Sequence, residues 1–266
     1  MDKIRVAVTG ANGRMGREVL KMVVNDADLQ LVAAIDPRTS AIDVAQVLGI
    51  PLTGVVFEND LEQALVRSQA DVMIDFTNPN VVTQNVKTAI KYGVKPVVGT
   101  TGLQQEDIKE FDQLLKERDL GGIFAPNFAI GAILMMRFAE QAAKYMPHVE
   151  IIELHHDQKI DAPSGTALKT AELIAQQRKA FKQGLETEYE KIAGARGAEY
   201  EGFRVHSVRL PGFIAHQEVI FGSNGQVLTI KHDSIHRESF MPGVNLAVKK
   251  VKDFVGAVYG LEKLID

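Results

Sequence analysis

The sequence predicts an α/β protein: a doubly wound parallel sheet, followed by a second, α+β domain with a mixed, mostly antiparallel open sheet. In the first half, short apolar runs alternate with helix-like segments, a pattern typical of parallel sheets. After Asn127 this alternation stops, and longer helices and closely spaced strand candidates follow. With 266 residues, 45% of them hydrophobic, the chain can form one large domain or two modest ones.

Six strands are predicted in the first half. Several are apolar at successive positions, as expected for strands buried on both faces, and Gly, Asn or Pro punctuates their ends. They are Ile4–Thr9, Leu29–Ile35, Gly54–Phe57, Asp71–Phe76, Pro96–Gly99 and Gly122–Ala125.

The second half predicts a helix, a strand, a second helix, three further strands and a last helix. Turn residues separate the final three strand candidates, which predict an antiparallel meander, and one-faced apolar spacing predicts the last helix, which could cover the first domain. The polar stretch 182–202 receives no assignment. The elements are helices over Ile130–Met146, from Ser164 to about Phe181 and from Pro242 to about Tyr259, and strands over Val149–His155, Arg204–Leu210, Ala215–Phe221 and Gln226–His232.

Composition excludes several classes of function. The chain has no cysteine, so disulfides, thiolate catalysis and cysteine-ligated metals are excluded. A net charge of -4 does not favour binding to nucleic acid or to an anionic membrane through the overall charge of the protein. The most apolar stretch, Phe128–Met136, is shorter than the roughly 20 residues that span a bilayer. His232 and His236 have no evident third ligand, so no metal is predicted. We expect a soluble, cytoplasmic protein whose partner is a small molecule.

A glycine-rich turn, Gly10-Ala11-Asn12-Gly13-Arg14-Met15-Gly16, follows the first strand and opens a helix. In this context the backbone approaches a pyrophosphate at the helix N-terminus, as in Rossmann-like domains. The G-x-x-G-x-x-G spacing is not the commoner one, so position along the chain carries most of the inference. A tight turn without a ligand is the alternative.

Asp36 lies about 20 residues beyond the turn, where an acidic side chain commonly accepts hydrogen bonds from the adenosine ribose. An acid there favours NADH, but Arg14 and Arg38 could pair with the 2′-phosphate of NADPH. Both cofactors therefore remain open, as does the alternative that Asp36 only begins a turn.

Three later loops follow parallel strands at the sheet edge where ligands of doubly wound folds bind. Each is placed to line the nicotinamide half of a cofactor cleft, and each alone could be an ordinary loop. They are Gly99-Thr100-Thr101-Gly102, Ala125-Pro126-Asn127-Phe128 and Asp75-Phe76-Thr77.

The segment from Glu153 to Ala167 concentrates proton donors and anion-binding groups. If the chain stays extended beyond His155, then His155, Asp157 and Lys159 point to one side and His156 to the other. Histidine can donate a proton near neutral pH, and lysine can donate a proton or anchor a carboxylate. A surface or core histidine is the alternative.

The same segment ends in a helix start. Ser164 is a good N-cap, and the backbone N–H groups of Gly165 and Thr166 predict an anion site. Together these features predict a pocket for a small, multiply anionic substrate.

With these residues assembled, the chain resembles the dihydrodipicolinate reductase family of the bacterial diaminopimelate and lysine pathway. The resemblance covers nearly the whole chain and is most specific over Glu153–Ala167, which follows the family pattern E-x-H-H-x-x-K-x-D-A-P-S-G-T-A. The Gly10–Gly16 turn, Gly99–Gly102, Asn127-Phe128 and His236–Phe240 occur in the expected order.

The resemblance implies hydride transfer from NADH or NADPH to a cyclic unsaturated dicarboxylate, formed by loss of water from 4-hydroxy-tetrahydrodipicolinate, and protonation at the neighbouring carbon. It implies that His155 is the proton donor or acceptor and Lys159 the second donor. The implied substrate contacts are His156, Gly165 and Thr166. The implied cofactor contacts are Gly10 to Met15, Asp36, Gly99 to Thr101 and Ala125 to Phe128.

The resemblance also implies a homotetramer built through the sheets of the second domain. The expected domains are a dinucleotide-binding domain, 1–127 with 241–266, and a substrate-binding and oligomerisation domain, 128–240. Where some members carry Glu followed by Arg, this chain has Asp36-Pro37-Arg38, so the preference between NADH and NADPH stays open.

Two other functions are compatible with parts of the sequence. One is another two-domain nicotinamide-dependent reductase of an amino-acid precursor. The other is a non-catalytic NAD(P)H-sensing protein, which would not need both His155 and Lys159 beside an anion site.

Overall fold

A computed structural model describes residues 2–39, 41–50 and 53–265 of the chain. The chain forms two compact units, one from residues 1–128 with 240–266 and the other from residues 129–239. The expected boundaries, 127/128 and 240/241, differ from these limits by one residue each. Residues 1 and 266, the expected ends, lie outside the described residues. No helix among the described residues is both long and apolar enough to cross a membrane.

The first unit contains a seven-stranded sheet in which every pair is parallel. Its spatial order is β12-β6-β5-β4-β1-β2-β3. From β1 the strands are added first on one side, as β2 and β3, and then on the other side, beginning with β4, as in doubly wound folds. The strands are β1 Ile4–Thr9, β2 Leu29–Ile35, β3 Phe57–Glu58, β4 Val72–Asp75, β5 Lys95–Val98, β6 Gly121–Phe124 and β12 Gly256–Tyr259. The predicted parallel α/β class is confirmed.

The helices of this unit bury one apolar face each. In the first helix the buried positions are Gly16, Val19, Leu20 and Val23, the spacing of a one-faced helix. The helices are α1 Arg14–Asn25, α2 Val44–Leu48, α3 Leu61–Ser68, α4 Val82–Lys91, α5 Gln105–Lys116 and α8 Met241–Lys250. Helix α8 packs against α1, so the returning chain does cover this unit.

Two predicted elements of the first unit are wrong in part. The predicted strand Gly54–Phe57 is shifted to Phe57–Glu58 because Val56 instead forms an antiparallel bridge with Asp43. The predicted last helix ends at Lys250, and the chain forms strand β12 instead. Gly256, at a φ of +90°, cannot continue a helix.

The second unit contains a five-stranded sheet in the order β11-β10-β7-β9-β8. The pair β7–β9 is parallel and the other three pairs are antiparallel, so the predicted mixed, mostly antiparallel sheet is confirmed. The elements are α6 Ile130–Ala143, β7 His148–His155, α7 Gly165–Gln177, β8 Ala198–Tyr200, β9 Phe203–Arg209, β10 Ala215–Ser223 and β11 Gln226–Ser234.

The predicted three-strand meander is wrong, because β7 lies between β9 and β10 and pairs with both. Val149 and Ile151 of β7 are almost completely buried, which favours a central position for this strand. The connection from Arg209 to Ala215 is long enough to pass the end of β7. Strand β8 lies in the stretch 182–202, where the sequence predicted no structure.

Residues of β7 alternate between the two faces of the sheet. Val149, Ile151 and Glu153 are buried, whereas the intervening Glu150 and Ile152 are only partly buried. Glu153 therefore lies on the apolar side of the sheet. A charged side chain in such a position needs hydrogen-bonding partners.

Candidate active site

The glycine turn of the first unit depends on close backbone packing. The N–H of Gly13 donates to the carbonyl oxygen of Gly10 over 2.9 Å. Gly10 adopts a φ of +68°, and a Cβ there would overlap the Phe76 carbonyl oxygen. A Cβ at Gly16 would overlap the Gly10 carbonyl oxygen. Gly10 and Gly16 therefore fit this turn because they lack side chains.

Asp36, at the end of β2, is almost completely buried, with 1% of its surface exposed. Its carboxylate accepts hydrogen bonds from the Asn12 N–H over 3.1 Å and from the Arg38 N–H over 3.0 Å, and it forms an ion pair with the Arg38 guanidinium over 3.2 Å. Burial alone would raise the pKa of Asp36, but these bonds outweigh it and hold the pKa below its ordinary value. Asp36 is thus an ionised acceptor at neutral pH.

A cleft of about 760 Å³ lies beside this turn, a size typical of small-molecule sites. Nine of the predicted cofactor residues line it: Gly10, Gly13, Arg14, Met15, Asp36, Arg38, Gly99, Thr100 and Thr101. Phe76 and Thr77 line it as well. One cleft thus brings together the turn, the end of β2 and the loop after β5.

The remaining predicted cofactor residues do not line this cleft. Ala11 is fully buried, and its N–H donates to the Ile35 carbonyl over 3.1 Å. The Asn12 side chain donates to Thr39 over 2.6 Å, so both residues support the turn. The segment Ala125-Pro126-Asn127-Phe128 follows β6, where the Phe128 ring centroid lies 5.9 Å from that of Phe76.

Asp75, at the end of β4, organises the loops of the cleft although the sequence indicated only its approximate location. Its fully buried carboxylate accepts hydrogen bonds from the side chains of Thr9 (2.8 Å), Asn85 (2.8 Å), Thr77 (2.7 Å) and Thr100 (2.6 Å). These donors come from β1, α4 and the loops after β4 and β5. The network ties the carboxyl ends of three neighbouring strands together.

In the second unit, His155 is the last residue of β7 and its side chain is 15% exposed. Its Nδ1 lies 2.5 Å from Oε2 of Glu153, which is fully buried. Because Glu153 engages Nδ1, Nε2 is the ring nitrogen that can exchange a proton with a ligand.

The alternation predicted beyond His155 is wrong because the chain turns there. The N–H of Lys159 donates to the carbonyl oxygen of His156 over 3.2 Å, so residues 156–159 form a turn and not an extension of β7. The Lys159 ammonium group instead lies 2.6 Å from Oδ1 of Asp161. His156 and Lys159 are both partly buried, and Asp157 is exposed.

The start of α7 adjoins the same carboxylate. Ser164 is the N-cap of the helix, as predicted, and its hydroxyl accepts from the Ala167 N–H over 3.2 Å. The Ser164 N–H donates to Oε1 of Glu153 over 3.3 Å. Gly165, the first residue of the helix, is exposed, and the positive end of the helix dipole favours an anion there.

Sequence reasoning assigned no role to Glu153 or Arg209. The Arg209 guanidinium binds the Glu153 carboxylate through two nitrogens, over 2.8 Å and 2.7 Å. Burial alone would raise the pKa of Glu153, but hydrogen bonds from His155, Arg209 and Ser207 outweigh it and lower the pKa to about 2. Glu153 is therefore ionised throughout the physiological range.

The second unit thus joins an oriented imidazole, an ammonium group and a helix N-terminus. This set can bind carboxylates and transfer protons. Among residues 2–39, 41–50 and 53–265, no group of three His, Cys, Asp or Glu side chains is arranged to hold a metal ion.

Comparison with known proteins identifies one family along both units. The family models "Dihydrodipicolinate reductase, N-terminus" and "Dihydrodipicolinate reductase, C-terminus" match residues 4–128 and 131–265. A 4-hydroxy-tetrahydrodipicolinate reductase of Desulfitobacterium hafniense is 55% identical over 267 residues, covering 100% of both chains. One from Listeria monocytogenes is 52% identical over 263 residues, covering 99% of this chain and 100% of the relative.

A solved structure agrees with these sequence relatives. The dipicolinate-bound dihydrodipicolinate reductase of Paenisporosarcina sp. TG-14 matches with a TM-score of 0.87 and 46% identity. The match covers 99% of this chain and 100% of the other. The similarity therefore extends over both units.

Proposed function

The chain belongs to the dihydrodipicolinate reductase family, and from this premise we propose how its residues perform the reaction. It is an NAD(P)H-dependent oxidoreductase that reduces 4-hydroxy-tetrahydrodipicolinate in lysine and diaminopimelate biosynthesis. The observation that carries the residue assignment is the contact of His155 and the start of α7 with one buried carboxylate, Glu153. Arg209 links the same carboxylate to Asp161, the partner of Lys159.

The substrate carboxylates are bound by His156, Lys159 and the backbone of Gly165 and Thr166 at the start of α7. A lysine and a helix N-terminus are both suited to a carboxylate. The related reductase that binds dipicolinate, a cyclic dicarboxylate, supports this assignment. Binding both carboxylates orients the ring relative to His155.

The reduction consumes one proton, which His155 donates to the substrate carbon, and Lys159 is the second group able to donate it. The reduction adds a hydride to one carbon and a proton to its neighbour, after water has left the 4-hydroxy substrate. Because Nδ1 of His155 contacts Glu153, we assign the transfer of the proton to the other ring nitrogen, Nε2. His155 regains its proton from solvent after turnover.

The reduced nicotinamide cofactor supplies the hydride when bound. We assign its binding to the cleft of the first unit, with Gly10 to Met15 near the pyrophosphate and Asp36 near the adenosine ribose. Gly99 to Thr101 and Ala125 to Phe128 are assigned to the nicotinamide half. Domain roles follow: residues 1–127 with 241–266 bind the dinucleotide, and residues 128–240 bind the substrate and form the oligomer.

The chain uses both NADH and NADPH. The Asp36 carboxylate can accept from the ribose hydroxyls of NADH. The Arg38 side chain is 75% exposed, whereas that of its partner Asp36 is 1% exposed. Asp36 keeps its hydrogen bonds from the Asn12 and Arg38 N–H groups when the guanidinium moves, so Arg38 can turn to a 2′-phosphate without leaving this carboxylate unpartnered.

Steady-state kinetics with both cofactors tests the activity and this preference. Reduced cofactor is expected to be consumed only when the product of dihydrodipicolinate synthase is supplied. Arg38→Ala is expected to raise KM for NADPH by about 10- to 100-fold, since a charged hydrogen bond contributes about 1.5–3 kcal/mol, and to leave KM for NADH unchanged. The matched control is Arg67→Ala. Arg67 is also an exposed arginine in an ion pair with a carboxylate, in its case that of Glu58. No consumption at saturating substrate would contradict the activity.

The protein is a cytoplasmic homotetramer assembled through the sheet of the second unit. The partly buried apolar side chains Ile152, Leu154, Val208 and Ile220 support this, because they occupy the face of that sheet opposite Glu153. Light scattering is expected to give the mass of four chains, and the mass of one chain would contradict the proposal.

A further inference from the structure

Glu153 is a fully buried carboxylate that contacts His155 directly and is linked through Arg209 to the loop that carries Lys159. We propose that Glu153, held by Arg209, is a positioning residue that fixes the orientation and tautomer of His155 and holds the loop that carries Lys159. The inference rests on the proposed role of His155. It goes beyond that role because it states why this imidazole exchanges protons at one defined nitrogen.

The two carboxylate oxygens of Glu153 have different partners. Oε2 accepts from Nδ1 of His155 over 2.5 Å and from Arg209 over 2.8 Å. Oε1 accepts from Arg209 over 2.7 Å and from the Ser164 N–H over 3.3 Å. The carboxylate therefore connects the imidazole directly to the start of the substrate-binding helix.

Arg209 extends the connection to the lysine loop. Its second terminal nitrogen also donates to the carbonyl oxygen of Asp161 over 2.9 Å, and the Asp161 carboxylate lies 2.6 Å from the Lys159 ammonium group. A guanidinium can make these bonds at once because its donors form a rigid, planar fork. His155 and Lys159 are thereby held relative to the same carboxylate.

The charges around His155 follow from these contacts. Glu153 on its own strand is negative, Arg209 on β9 is positive, and Lys159 and Asp161 of the following loop form a neutral pair. Gln217 of β10, opposite Glu153 in register, carries no charge. Because the pKa of Glu153 is lowered to about 2, its carboxylate stays ionised over the working pH range and remains an acceptor for Nδ1 of His155.

A purely structural ion pair is the competing explanation, and the chain offers a matched control for it. Glu150, three residues earlier on β7, accepts from His206 over 2.8 Å and from Arg196 over 2.6 Å. This second carboxylate has the same kinds of partners but lies on the opposite face of the strand. Glu150→Gln removes an equivalent charge away from the site.

The experiment compares the pH dependence of kcat for the full-length parent, Glu153→Gln and Glu150→Gln. In Glu153→Gln, kcat is expected to fall by about 10²-fold or more, as for other carboxylates that orient a catalytic imidazole. The pH profile of kcat is expected to differ from that of the parent, because the imidazole loses the carboxylate that engages Nδ1. KM for the cofactor is expected to stay unchanged. Glu150→Gln is expected to match the parent in kcat and in profile.

Arg209→Lys provides a second variant should Glu153→Gln fail to fold, as judged by thermal unfolding and cofactor binding. It keeps the positive charge but loses the fork, so kcat is expected to fall and KM for the substrate to rise. If Glu153→Gln folds, an unchanged kcat and an unchanged pH profile would overturn the inference. If only Arg209→Lys folds, an unchanged kcat in that variant would overturn it. An inactive parent would instead refute the proposed function, so the two failures are distinguishable.

Discussion

His155→Gln is expected to lower kcat by about 10²- to 10⁴-fold, the usual contribution of a general acid or base. Glutamine is neutral, does not titrate and cannot deliver the proton, although its amide can still donate a hydrogen bond to Glu153. Affinity for the cofactor is expected to stay unchanged, because the cleft to which we assign the cofactor is lined by residues of the first unit. Steady-state kinetics combined with fluorescence titration of NADH measures the two effects separately.

His206→Gln is the matched control for this substitution. His206 lies on β9 and, like His155, contacts a carboxylate, that of Glu150. It is not part of the proposed site, so the variant is expected to retain the kcat of the parent. Equal kcat in His155→Gln and the parent would remove His155 from the mechanism.

Lys159→Met is expected to lower kcat and raise KM for the substrate together. Methionine keeps much of the length of the side chain but loses a charged hydrogen bond to a carboxylate, so KM is expected to rise by about 10- to 100-fold. Asp161, the present partner of Lys159, is 64% exposed, so water can replace the ion pair and the fold should lose little stability. Kinetics at varied substrate concentration gives both constants.

Lys169→Met serves as the control for the loss of a positive charge. Lys169 lies on α7, is 52% exposed and pairs with Glu172, so its removal is expected to change neither constant. An unchanged KM in Lys159→Met would mean that Lys159 does not bind a substrate carboxylate.

Local patterns predicted much of the first unit. The bounds of β1 and β2 agree with the sequence, because apolar runs between glycine-rich or polar turns define buried parallel strands. The glycine turn and the Ser164 N-cap were also predictable, since each rests on the conformation of only a few consecutive residues. Asp36 lies beside the turn, as its spacing of about 20 residues along a βαβ unit predicts.

Long-range pairing was not predictable from these patterns. Arg209 and Glu153 are brought together because β9 pairs with β7 in parallel, with Arg209 opposite His155. A meander would have placed β9 beside β10 instead, far from the end of β7. The support for the imidazole, like the network around Asp75, therefore required the three-dimensional structure.

The error in the last helix has a local cause. The apolar spacing of Val251, Val255 and Val258 fits a helical face, but valine also favours strands. The helix ends at Lys250, and Phe254 is already extended. Gly256, at a positive φ, does not resume a helix, and its N–H donates to the Leu120 carbonyl at the start of β12. The sequence alone does not show that this carbonyl is in reach.

Isotope labelling tests most directly whether the cofactor supplies the hydride and a protein group supplies a solvent-derived proton. The measurement is the mass of tetrahydrodipicolinate formed from NADH carrying deuterium at the transferable C4 position in ordinary water, and from unlabelled NADH in heavy water. We expect one deuterium, in a non-exchanging position, from the cofactor in the first reaction and one from solvent in the second. Product without deuterium from the labelled cofactor would contradict it.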